Sequence, residues 1–332
     1  MSNLQLPSFI QSLYGQIFRP SSTDFSSLAI DLFRWQAQHI AIYQSYIQTL
    51  GINIAEVQTI EQIPFLPIEF FKTHNVCIAS KQYDKTFTSS GNIQSYHKVK
   101  DISVYEESFT LGFQLFYGNP QSYCILALLP SYLERQGSSL VYMMASLIKQ
   151  SGNKYSGFYL YNYDELINTI AEIEKNEQPY LIFGVSYALL DLAEQYPIKL
   201  NQGIIMETGG MKGRRAEISR TELHRQLCKS FGANRIHSEY SMTELLSQAY
   251  SKGDGLFQCP PWMKIFIREI QDPFAYCPYG VVGGINIIDL ANIYSCAFIE
   301  TQDIGIAYPN GSFEVKGRMQ NSDIRGCNLL ID

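Results

Sequence analysis

Between residues 100 and 240 the chain alternates short, wholly apolar runs with longer segments of helical spacing. YCILALL (123–129), YLIFGV (180–185) and GIIMETG (203–209) read as buried strands. SSLVYMMASLIKQ (138–150), YDELINTIAEIEKN (163–176), YALLDLAEQY (187–196) and RAEISRTELHRQLCKSFG (215–232) read as helices, with RIHSEYS (235–241) as a last short strand. Strands that are apolar on both faces and separated by helices fit a parallel sheet covered on both sides. From about residue 255 the texture changes to MKIFIREI, GVVGGINIIDL, SCAFIET and SFEVKGR, which read as strands and turns. The expectation is an α/β part over 1–255 and a β-rich subdomain over 256–332. Upstream, 28–50 has helical spacing up to Gly51, and the two prolines of IPFLPIEFFK (63–72) exclude a helix interior there.

With 332 residues, 46% hydrophobic and 17% charged, the chain has the material for a large folded core. A net charge of −6 and the lack of a basic tract argue against nucleic-acid binding. No run is long enough to span a bilayer, and the start MSNLQLPSFIQSLYG does not read as a signal peptide. The seven cysteines (77, 124, 228, 259, 277, 296, 327) form no Cys-x-x-Cys pair, and the five histidines do not fall at zinc spacing. A reduced, cytoplasmic chain without a structural metal is the expectation.

Four segments carry candidate chemistry, each with a plainer alternative. In KTFTSSGNIQSYHK (85–98), between two expected strands, the hydroxyls of Thr88, Ser89 and Ser90 and the backbone freed by Gly91 can converge on an anion. A solvated turn fits the same residues, and the spacing is not that of a Walker loop. In Glu207-Thr-Gly-Gly-Met-Lys-Gly213, Gly209 and Gly210 follow a buried strand, where open α/β sheets bind ligands. A simple strand-to-helix turn is the alternative. In Tyr240-Ser-Met-Thr-Glu244, Thr243 can bond a phosphate oxygen and Glu244 can hold a hard cation such as Mg²⁺. Local rules favour a helix start there, with Ser241 and Glu244 as a capping box. In Glu300-Thr-Gln-Asp-Ile-Gly305, Asp303 in a turn between strands can bind a ribose diol, with Arg318 of Val315-Lys-Gly-Arg318 close behind; an ordinary Asp-x-Gly turn is the alternative.

In this order the segments resemble the adenylate-forming superfamily of acyl-CoA synthetases and adenylation domains. YSMTE stands where that superfamily has YGxTE, and TQD where it has TGD. Within it, IPFLPIEFFK, FTSSG, HSEYSMTELLSQAY and VKGR…DIRGCNLL are similar to the acyl-protein synthetase (LuxE-like) family of bacterial bioluminescence. The resemblance runs over most of 60–330 and implies the core fold of that superfamily. It also implies formation of an acyl-adenylate from ATP and a carboxylic acid, a fatty acid by the resemblance to the acyl-protein synthetases. Thr88, Ser89, Ser90 and Gly91 would grip the β- and γ-phosphates. Gly209, Gly210 and Met211 would line the adenine pocket beside Tyr240. Thr243 would meet the α-phosphate, Glu244 would hold Mg²⁺, and Asp303 and Arg318 would bind the ribose. The family passes its acyl group to a cysteine near the C-terminus, which points to Cys327, and onward to an acceptor protein such as a reductase or carrier. Arg325 beside it would lower the thiol pKa; a small buried residue of a terminal strand is the alternative.

Two departures from the pattern stand out. The phosphate loop continues Asn92-Ile-Gln-Ser95 without the second glycine, and the reach of Lys98 stays open. The sequence also ends at Asp332, where superfamily enzymes continue into a small C-terminal domain, as the acyl-protein synthetases do not. These departures leave a second function class open, a catalytically degenerate fold that binds an acyl group or a partner. A third, a serine hydrolase or acyltransferase, rests on Gly184-Val-Ser-Tyr-Ala188, which lacks the last glycine of a nucleophile elbow.

Overall fold

The computed structural model describes residues 8–18, 25–90, 93–130, 135–211 and 214–319. The N-terminal part is helical, with α1 (Ser8–Ile17), α2 (Phe25–His39) and α3 (Ala41–Thr49). The helix expected over 28–50 is thus two helices, broken where Ile40 takes an extended backbone. Its apolar spacing runs through the break because both pieces bury residues, Leu32 and Phe33 from α2, Tyr43 and Ile47 from α3. The proline-bearing segment gives the two-residue β1 (Leu66–Pro67) and the single turn α4 (Phe70–Thr73). The hydroxyl-rich stretch forms a hairpin of β2 (Lys85–Thr88) and β3 (Tyr96–Val99).

A βα alternation follows: α5 (Ile102–Tyr117), β4 (Cys124–Leu128), α6 (Ser139–Ser151), β5 (Gly157–Phe158), α7 (Tyr163–Lys175), β6 (Tyr180–Val185), α8 (Ser186–Gln195), β7 (Gly203–Thr208), α9 (Arg220–Phe231) and β8 (His237–Tyr240). Side chains of Asp101, Ser138, Asn162 and Ser219 accept backbone N–H groups at the starts of α5, α6, α7 and α9. The Ser219 cap starts α9 five residues later than the helical spacing suggests. Arg215, just before it, is paired instead with Asp191 and Glu194 of α8. The antiparallel part consists of β9 (Ala249–Ser251), β10 (Leu256–Gln258), β11 (Met263–Arg268), β12 (Gly283–Asp289), β13 (Phe298–Ala307) and β14 (Phe313–Arg318).

One sheet of twelve strands joins the two textures. Its parallel portion runs β5-β4-β6-β7-β8, and β9, β10, β14, β13, β12 and β11 continue it antiparallel, with β1 added alongside β13. Every residue of β4, β6 and β12 is buried, as strands covered on both faces require. The two edges of the path are the short β5 and the strand β11. No helix among the described residues is long and apolar enough to cross a membrane.

Candidate active site

Three parallel strands end side by side, since Val185 pairs with Thr208 and Thr208 with Glu239. Their carboxyl ends carry Ser186, then Gly209 to Met211, then the segment from Tyr240 onward. Gly209 has φ +64°, a left-handed conformation that suits glycine and turns the chain sharply off β7. Its carbonyl accepts the Ser186 hydroxyl at 3.2 Å, and the same hydroxyl lies 3.4 Å from the Glu207 carboxylate. Ser186 is 2% exposed, and among the described residues no histidine is recorded as its partner. The nucleophile-elbow reading therefore has no base, and Ser186 serves to hold the glycine turn. Gly209 is exposed and Gly210 half-buried, while Met211 packs into the core.

The hydroxyl hairpin is closed by its own side chains. Ser95 N–H donates to Ser89 Oγ at 2.8 Å, and Ser89 N–H donates to the Ser95 carbonyl at 3.2 Å. Thr88 N–H donates to Gly137 O at 2.7 Å, and a Cβ at Gly137 would stand 2.5 Å from Thr88 Oγ1. Ser90 is exposed; Gly91 lies outside the described residues. The ammonium of Lys98 sits 5.4 Å over the Tyr83 ring.

Residues 241–248 are a turn and loop, with Leu245 N–H bonded to Met242 O at 3.1 Å. No helix starts there, which removes the capping-box reading of YSMTE. Glu244 is 5% exposed, and burial pushes its carboxyl above the usual range. The turn is gripped from outside. His97 Nδ1 lies 2.8 Å from Thr243 O, and Asn292 Nδ2 donates to Glu244 O at 2.8 Å. Asp289 accepts the N–H groups of Leu246 and Ser247, both at 2.9 Å, and the Ser247 hydroxyl at 2.6 Å. A carbonyl only accepts, so Nδ1 of His97 carries the proton and Nε2, 2.7 Å from Ser295 Oγ, accepts.

Asp303 is not in a turn. It lies within β13 opposite Arg318 of β14, next to a bulge between Ile304 and Gly305 that displaces the register there. Its Oδ2 accepts the Tyr240 hydroxyl at 2.8 Å, and its Oδ1 is 3.4 Å from Arg318 Nε. Burial pushes the Asp303 carboxyl up, against the guanidinium and the hydroxyl. The Tyr240 ring stands edge-on to Phe257 and Phe313.

The structure thus links the hydroxyl hairpin to the Thr243–Glu244 turn through His97, and Tyr240 to Arg318 through Asp303. Thr243 and Glu244 lie on the segment that leaves Tyr240. The oxygen donors at hand are one carboxylate, Glu244, and the hydroxyls of Thr88, Ser89, Ser90 and Thr243. Such a set fits a hard cation that arrives with phosphate oxygens, because Mg²⁺ is commonly held by one or two carboxylates plus substrate phosphates. Among the described residues no group of three or more His, Cys, Asp and Glu side chains makes a protein-only metal cage. Cys327 lies outside the described residues. The six other cysteines are free, and burial pushes all their thiols up, Cys124 to about 11 and Cys296 to about 12.

Sequence reasoning missed His97, Asp289 and Asn292, the side chains that hold the Thr243–Glu244 turn. A signal existed for His97 alone: Ser95, His97 and Val99 alternate inward, so a polar residue falls in a buried register.

No protein-family model and no curated protein sequence matches the chain. Solved structures match by fold. MatB from Rhodopseudomonas palustris with ATP bound superposes with a TM-score of 0.54 at 14% identity, over 73% of this chain and 50% of that one. An open conformation of 2-hydroxyisobutyryl-CoA ligase in complex with 2-HIB-AMP and CoA gives 0.63 at 13%, over 87% and 74%. The amide bond synthetase McbA from Marinactinospora thermotolerans gives 0.51 at 16%, over 71% and 49%. The chain spans about half the length of the MatB and McbA structures. At such identities the likeness is one of architecture: the chain has the core fold of adenylate-forming enzymes.

Proposed function

We propose that the chain is an ATP-dependent acyl-activating ligase of the acyl-protein synthetase, LuxE-like type. The observation that carries this reading is the pair of links just described, the hydrogen bond of hairpin residue His97 to Thr243 O and the Tyr240–Asp303–Arg318 chain of one hydrogen bond and one ion pair. They tie the hydroxyl hairpin to the Thr243–Glu244 turn, and the β8 end to a buried carboxylate suited to a diol. Fold neighbours crystallised with ATP and with an acyl-adenylate support it.

In this reading a carboxylate oxygen of a fatty acid attacks the α-phosphorus of ATP, and pyrophosphate leaves. Thr88, Ser89, Ser90 and Gly91 hold the β- and γ-phosphates, and Thr243 donates to the α-phosphate. Gly209, Gly210, Met211 and Tyr240 bound the adenine, and Asp303 with Arg318 takes the ribose hydroxyls. Mg²⁺ on Glu244 would neutralise phosphate charge as it builds. Fixed donors aimed at that charge are the main source of acceleration in such a site. The Cys327 thiolate then attacks the acyl carbonyl, AMP leaves, and a thioester forms. A nucleophile of an acceptor protein, a reductase or carrier, takes the acyl group and returns the thiolate. The reading places the protein in the cytoplasm and keeps 1–255 and 256–332 as α/β part and β-rich subdomain.

Carboxylate-dependent ATP–pyrophosphate exchange tests it. Exchange with a fatty acid is expected, and Glu244→Ala should lower it about 10²–10³-fold. Cys327→Ser should keep exchange while abolishing hydroxylamine-labile acyl label on the protein. No exchange with any acid tried, together with no thermal shift in Mg-ATP, would overturn the proposal in favour of an acyl- or partner-binding module.

A further inference from the structure

The Thr243–Glu244 turn is held mostly by side chains from elsewhere in the chain, and one of them also belongs to the phosphate hairpin. His97 lies in β3, two residues past Ser95. Its Nδ1–H donates to Thr243 O at 2.8 Å. The hairpin and the turn are therefore joined through the backbone of the turn itself. His97 Nε2 in turn accepts the Ser295 hydroxyl at 2.7 Å, which fixes the ring's tautomer and its plane. Ser295 does not drift, because its carbonyl accepts Gln36 Nε2 at 2.7 Å. The ring is 1% exposed and meets Phe71 edge-on at 5.6 Å, so no water competes for either nitrogen.

We propose that His97 is a positioning residue, whose Nδ1–H sets the Thr243–Glu244 turn against the phosphate hairpin in the register that the reaction needs. This rests on the adenylation reading, which supplies the roles of Thr243 and Glu244. It also gives the loop without its second glycine a physical account. A glycine-rich loop shapes itself around phosphate by its own backbone; here Asn92 to Ser95 leads into a strand whose inward His97 holds the acidic turn directly. The geometry of the site is then set by the hairpin strand rather than by the loop tip.

Three variants separate positioning from packing. Asparagine places an amide N–H where Nδ1 stands, glutamine places one further out near Nε2, and alanine has neither. Glutamine is nearer to histidine in size. A donor role ranks Asn above Gln; a space-filling role ranks Gln above Asn. In ATP–pyrophosphate exchange, His97→Ala is expected to lower kcat by about 10–100-fold, the worth of one buried positioning bond, with the KM for the carboxylate nearly unchanged. His97→Asn should regain most of that kcat, and His97→Gln should not. Hydrogen exchange gives a readout independent of turnover: backbone amides of residues 243–247 should exchange about 10-fold faster in His97→Ala and near the parent rate in His97→Asn. A wild-type protein without exchange activity would overturn the adenylation reading, and the amide rates alone would then decide the positioning claim. Unchanged amide rates in His97→Ala, or Gln ranking at or above Asn, would overturn the role assigned to His97.

Discussion

A histidine sealed between a carbonyl and a serine has a measurable signature in acid. Burial pushes the His97 pKa from 6.5 to about 4, against the Thr243 carbonyl bond, which favours the charged ring. The unfolded chain therefore binds a proton between pH 6.5 and 4 that the folded chain refuses. Stability rises with pH through that window, is complete above 6.5, and is lost as pH falls toward 4. Two and a half units correspond to about 3 kcal/mol. His237 is shifted the same way and for the same cause, with Arg235 and Lys252 adding to it. Asp289 acts in the opposite sense: burial raises it to about 6, so the folded chain holds the extra proton between 3.8 and 6 and loses stability as pH rises there. The prediction concerns His97 alone. Between pH 7 and 4.5, His97→Asn should lose about 2–3 kcal/mol less stability than the parent protein, because asparagine keeps the donor and does not titrate. Denaturant midpoints at the two pH values measure it; equal losses in both proteins would refute it. The Asp303 carboxylate gives a second residue-level expectation. Asp303→Ala should raise the KM for ATP at least about 10-fold, since a site built to bond a hydroxyl loses that much when the partner goes. An unchanged KM would remove Asp303 from the ribose site.

Elements were more legible than their joints. The runs at 123–129, 180–185 and 203–209 are strands because an apolar stretch of that length, bounded by polar turns, has few other ways to bury itself. The 16-residue α5, the longest helix described, went unread, as did β9 and β10, three residues each, too short for any periodicity. Asp303 was assigned to a turn because Asp-x-Gly is turn chemistry, but Gly305 marks a bulge inside β13 instead. The reason is a close approach: a Cβ at Gly305 would stand 2.3 Å from Glu314 O and 2.7 Å from Ile285 Cδ1. Only the absence of a side chain lets β14 and β12 flank β13 there, and that pairing is what sets Asp303 against Arg318. Gly305→Ala should therefore cost about 1–3 kcal/mol in equilibrium unfolding. It should also raise the KM for ATP more than the KM for the carboxylate, since the displaced ladder carries Asp303. Wild-type stability would show that β13 and β14 have room to spare. The same limit explains the site as a whole. Motif order points to Thr88, Thr243, Glu244 and Asp303 one by one, whereas the bonds that hold each of them, from Gly137, His97, Asn292 and Tyr240, arise from sheet order, which local sequence does not encode.

At the scale of the whole molecule, the N-terminal helices and the β-rich part meet through packed aromatics, Phe33 and Tyr43 against Phe298, and through one buried amide. Gln36 of α2 is 0% exposed. Its Nε2 lies 2.7 Å from Asn292 O and 2.7 Å from Ser295 O, and its Oε1 accepts Ala297 N–H at 2.9 Å. The contacts span some 260 residues of sequence and close the loop before β13 onto a helix that holds none of the motifs. That loop carries Asn292, which holds Glu244 O, and Ser295, which holds His97. A path of hydrogen bonds thus runs from α2 through the loop to the turn proposed to bear the catalytic pair. Gln36→Leu keeps the volume and the apolar contacts but strands three carbonyls, of Asn292, Ile293 and Ser295, and one N–H in the core. Each buried group left unpartnered costs about 1–3 kcal/mol, so a loss of roughly 3–5 kcal/mol in unfolding free energy is expected. If the path matters for function, activity should fall beyond what the unfolded fraction explains. Measured where the variant is still fully folded, exchange kcat should drop several-fold and the amides of residues 243–247 should exchange faster. A variant that loses stability but keeps parent kcat and parent amide rates while folded would show that α2 supports the core without reaching the site.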